Sequence, residues 1–91
     1  MDRFDRIEAL FERLLDGAQS VMSSSERAEV QQFIDHGEHG LALQTTFYVL
    51  LEGDRRVDPV LTSLLAELAD AMSLPDEVIP LLDELRRRSM T

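Results

Sequence analysis

Apolar residues in this 91-residue chain recur every three or four positions and nowhere sustain a strict alternation. That spacing draws a stripe along an α-helix and leaves no half-buried strand, so it predicts an all-α fold. A chain of 10.3 kDa is long enough for one domain, residues 1–91. Cysteine is absent, which removes disulfides and thiolate chemistry, so the core has to come from helix packing or from a partner.

The first helix is expected over residues 2–16, with Phe4, Ile7, Leu10, Phe11, Leu14 and Leu15 on one stripe and Gly17 as its stop. Ser23-Ser24-Ser25-Glu26 reads as a capping box opening a second helix, which carries Val30, Phe33 and Ile34 inward and ends near Asp35-His36-Gly37. A third helix over residues 38–52 is apolar around nearly its whole circumference, from Leu41 to Leu51. A helix of that kind is buried on several sides, so the expectation places it at the centre. Asp58-Pro59 signals a fourth start, with Val60, Leu61, Leu64, Leu65, Leu68 and Met72 on the core half and Thr62, Ser63, Glu67 and Asp70 on the other. Ser73-Leu74-Pro75-Asp76 begins a last segment. Pro80 interrupts it, and a helix to Arg87 or Arg88 turns Val78, Ile79, Leu81, Leu82 and Leu85 to the core. Short connections predict a compact bundle of four to five antiparallel helices with helix 3 central.

Asp35-His36-Gly37-Glu38-His39-Gly40 is the richest polar cluster. Its residue types can bind zinc, but the i, i+4 histidine pair of the zinc proteases is missing. The segment reads instead as a solvated turn in which each glycine supplies a backbone angle that other residues resist. No serine sits in a Gly-x-Ser-x-Gly elbow and no glycine-rich phosphate loop occurs, so the reading is of a non-enzyme without metal or cofactor. Tyr48 fits a core tyrosine with its hydroxyl at the surface, or an interface anchor.

Charge narrows the partners. Nine Arg, no Lys and 18 carboxylates give −9, and residues 1–85 alone carry −12. Such a surface repels nucleic acid and anionic membranes; it reads either as a solvated face that keeps the chain soluble or as the complement of a partner with a strongly basic face. Arg55-Arg56 and Arg86-Arg87-Arg88 fit capping and surface pairing better than a nucleic-acid face. The absence of a cationic, apolar start and of an apolar run near 20 residues predicts a cytoplasmic protein.

The run Phe33-Ile34-Asp35-His36-Gly37-Glu38-His39-Gly40-Leu41-Ala42-Leu43-Gln44-Thr45 resembles the Maf-type immunity proteins, the MafI family. That family carries an acidic residue and Gly, then Leu-Ala-Leu-Glu, opening a helix; Gln44 stands where it has Glu. Glu52 and Asp54 match acidic residues at the end of that helix, and Leu68-Ala69-Asp70-Ala71-Met72-Ser73-Leu74 resembles its closing helix and turn. The resemblance spans residues 33–74. It implies an immunity protein that neutralises a cognate bacterial toxin domain, such as a nuclease encoded nearby, by stoichiometric, non-catalytic binding. Asp35, Glu38, Tyr48, Glu52 and Asp54 are the candidate toxin-binding residues, and the free chain is expected to be a monomer or weak dimer. Two other readings remain open at this point. One is an acidic helical adaptor or regulatory subunit. The other is an acyl or peptidyl carrier, although the Asp-Ser-Leu of carriers is replaced here by Met72-Ser73-Leu74.

Overall fold

A computed structural model describes residues 2–53, 55–73, 76 and 78–89. Five helices follow one another: α1 (Arg3–Gly17), α2 (Ser24–Asp35), α3 (His39–Leu51), α4 (Pro59–Ala71) and α5 (Ile79–Ser89). Among the described residues there is no strand. No described helix is long and apolar enough to cross a membrane. The radius of gyration is 12.0 Å, close to the roughly 12 Å expected of a single packed domain of this length.

Local signals set most of the helix ends. Ser23 Oγ accepts from the Glu26 amide at 3.1 Å while Glu26 accepts from the Ser23 amide at 2.8 Å, completing the expected capping box. The Asp58 carboxylate accepts from the Val60 amide at 2.8 Å, and Pro59 fills the first helical position. Helix α2 ends in a Schellman turn. The Glu38 amide donates to Phe33 and the Gly37 amide to Ile34, with Gly37 at φ 73°. Ser73 takes the equivalent left-handed position after α4, at φ 60°. The expected role of Gly40 is corrected: it lies within α3 and its φ is not positive. Pro80 does not interrupt a helix either, because it is the second residue of α5, where a missing amide hydrogen leaves no helical bond unmade. Leu74, Pro75 and Glu77 lie outside the described residues.

Two helix pairs form most of the packing, α1 with α4 and α2 with α3. Helix α5 packs on α4 and α3, and α3 also touches α4. The core between them is built on Phe11, Leu14, Leu43, Phe47, Leu50, Leu65, Leu68 and Leu85, all fully buried. Thr46 is buried with them and donates its hydroxyl to the Ala42 carbonyl at 2.8 Å. The apolar girdle of α3 is open on one side: Leu41 is 46% and Tyr48 53% exposed. Three residues expected in the core are exposed as well. Phe4, Val60 and Ile79 each lie in the first turn of a helix, beyond the edge of the packed layer. Thr62, expected outside, is buried, its hydroxyl turned back to the Asp58 carbonyl at 3.4 Å.

Arginines tie the elements together where a disulfide is unavailable. Arg55 forms a two-pronged pair with Glu26, both contacts at 2.8 Å, and also donates to the Val21 carbonyl. Arg3 donates to the Ala71 carbonyl and the Ser73 hydroxyl at the end of α4. Arg88 donates to the Leu51 and Gly53 carbonyls at the end of α3. The last two place a cation at the negative end of another helix, a favourable position.

Candidate partner-binding surface

Glu8 and Glu12 are one turn apart on α1, and Asp35 closes α2. The two helices bring these three carboxylates to the rim of a groove of about 390 Å³. Buried Phe11 and Ile34 line it, and Gln31 completes the α2 side. Asp35 accepts from Gln31 Nε2 at 2.9 Å, across one helical turn. Among the described residues, no arginine pairs with Glu8, Glu12 or Asp35.

His39 sits beside Glu8, at the start of α3. Its ring stacks near Phe11, with centroids 6.2 Å apart, and meets Phe4 at 5.9 Å. Its Nε2 is buried, without a hydrogen-bond partner, 3.9 Å from Glu8 Oε2. Phe4 is 58% exposed, so an aromatic face borders the carboxylates. Apolar, aromatic and anionic surface thus meet in one place, the mixture suited to an Arg or Lys side chain with its aliphatic stem.

The expected site residues do not gather in one place. Asp35 is at the groove and exposed Glu38 lies just beyond it, at the N-cap of α3, where its negative charge suits the helix dipole. Glu52 is at the far end of α3, about 20 Å along the helix, and lies 3.7 Å from Arg55. Asp54 lies outside the described residues. Tyr48 projects from the last turn of α3 with its ring half exposed, and its hydroxyl accepts from Gln44 Nε2 at 3.4 Å. Glu8, Glu12 and Phe4 were missed as site residues. Glu8 and Glu12 read as an ordinary solvated face and Phe4 as part of the core stripe, and only the tertiary arrangement that sets Glu8, Phe11 and Glu12 of α1 beside Gln31, Ile34 and Asp35 of α2 reveals the groove.

The strongest carboxylate interaction lies elsewhere. The Arg55 guanidinium and the Ser23 amide hold Glu26 down to a pKa of about 2. The same pairing raises Arg55 above its ordinary value. Both groups are committed to the fold. No cluster of His, Asp or Glu among the described residues has the geometry to hold a metal. Ser73 follows the end of α4 and is engaged by Arg3, whereas a carrier presents its serine at the head of a helix. No protein-family model matches the chain, nor does any curated protein or solved structure.

Proposed function

We propose that this protein is an immunity protein: a stoichiometric, non-catalytic inhibitor that binds a basic toxin domain, such as a nuclease, in the cytoplasm of the producing cell. The observation that carries this reading is the rim of Glu8, Glu12 and Asp35, which is left without an arginine partner in a chain that commits other arginines to its own fold. Like charges one helical turn apart cost helix stability. A basic partner seated on the apolar floor neutralises them and relieves that cost. Acidic complementarity accelerates encounter and turns the toxin's own substrate-binding cations into contacts. The resemblance of residues 33–74 to the Maf-type immunity proteins points to the same function.

The test is titration calorimetry of the full chain against a catalytically crippled form of the toxin C-terminal domain encoded beside it, at low and high salt. One-to-one binding, about nanomolar or tighter and weakened by salt, supports the reading. No binding to the folded domain at either salt refutes this pairing. Tight binding that leaves the active toxin domain fully functional points to an adaptor instead.

A further inference from the structure

A second concavity, of about 470 Å³, opens where the end of α1 and the turn after it meet the start of α4. It shares no lining residue with the acidic groove. Its size falls within the range of small-ligand sites, about 300–1,000 Å³. Leu61 and Leu64 form a buried floor, half-buried Val21 adds to it, and Val60, 64% exposed, carries the apolar surface outward. Gly17 lets the helices approach here: a Cβ on it would stand 3.2 Å from Leu61 Cδ2.

The charges on the rim are unequal in what they have left to offer. Asp58 accepts from the Val60 amide at the start of α4 and Asp16 from Gln19 Nε2 at 3.2 Å, neutral donors that hold the two carboxylates in place while leaving them their charge. Arg13 and Arg56 line the same cleft, and among the described residues neither has a hydrogen-bond or ion-pair partner. The first amides of α4 are already taken by Asp58, so the helix end adds no free donors. Unused cationic donors beside an apolar floor complement a ligand with an anionic head and a hydrocarbon body.

We propose that this cleft binds an aliphatic carboxylate, its chain lying on Val21, Val60, Leu61 and Leu64 and its head between the guanidinium groups of Arg13 and Arg56. The inference is independent of the inhibitor reading, since it concerns a different site and a different class of ligand.

The probe is octanoate, titrated at millimolar concentration into the ¹⁵N-labelled full chain and followed by amide chemical shifts. Saturable shifts centred on Gly17, Val21, Val60 and Leu61 are expected, with a dissociation constant of about a millimolar for so small a ligand. The Arg13→Gln/Arg56→Gln double variant should weaken binding at least about tenfold. The Arg13→Lys/Arg56→Lys variant, which keeps both charges, should retain most of it. Both side chains are exposed and unpaired, so the thermal melt should be unchanged. Octylammonium and octanol serve as controls of charge. The proposal is overturned if shifts do not saturate or centre elsewhere, if either control binds as tightly as octanoate, or if the glutamine variant binds octanoate undiminished.

Discussion

Glu26 joins two levels of structure through one carboxylate. It closes the capping box of α2 with Ser23 and receives the guanidinium of Arg55, 29 residues away. Its proton affinity is depressed from 4.5 to about 2 in the folded chain, first by Arg55 and then by the Ser23 amide. A depressed carboxylate stabilises the fold in its ionised form. The contribution is complete above the unfolded value and is lost as the pH falls from about 5 through about 2. Glu26→Gln should therefore melt below the parent at pH 7, and the gap should narrow across that interval. Melting curves by circular dichroism at half-unit steps of pH check this; a constant gap from pH 7 to pH 2 would contradict it. Ser23→Ala removes the other half of the box and should cost about 1 kcal/mol.

At the scale of elements, the capping box, the Asp58-Pro59 start and the Gly37 turn are local, and they can be read from a few adjacent residues. The all-α fold follows from apolar spacing for the same reason. What periodicity does not encode is which helix faces which. The amphipathic stripe of α1 gives no sign that Glu8 and Glu12 will meet Asp35 across a groove. Nor does the apolar girdle of α3 show that Leu41 and Tyr48 will be left on its open side. Arg3, Arg55 and Arg88 each donate to at least one group 29 or more positions distant, and that part of their role depends on tertiary structure. Within α3, Phe47 is fully buried. Phe47→Ala should cost about 3–5 kcal/mol, a large share of the roughly 5–10 kcal/mol expected for a domain of this size. Urea unfolding would show it as a lowered midpoint. A loss below about 1 kcal/mol would mean that the site collapses around the smaller side chain. Arg88→Ala should release the end of α3 at a smaller cost, about 1 kcal/mol. The sign of that release is faster amide exchange near Glu52 and Gly53, whose surroundings Arg88 holds through the Leu51 and Gly53 carbonyls.

Across the whole molecule, a net charge of −9 is distributed so that arginines brace helix ends while carboxylates rim the α1–α2 groove. Glu52, at the far end of α3, already lies near Arg55, so its charge is partly spent within the chain. The two ends of α3 therefore make different predictions for binding to the proposed toxin partner. Replacing Glu8 and Glu12 with Gln and Asp35 with Asn should slow association about tenfold or more at low salt. At about 0.5 M salt the difference should shrink, because a Debye length of only a few ångströms screens the encounter. Glu52→Gln should leave the rate nearly unchanged at either salt. The triple variant removes repulsion between neighbouring carboxylates and should melt no lower than the parent, so a slower rate would reflect the surface and not a damaged fold. Stopped-flow association at the two salts separates these outcomes. If Glu52→Gln slows association and the triple variant does not, the partner docks at the opposite end of α3 and the groove plays no part in the encounter.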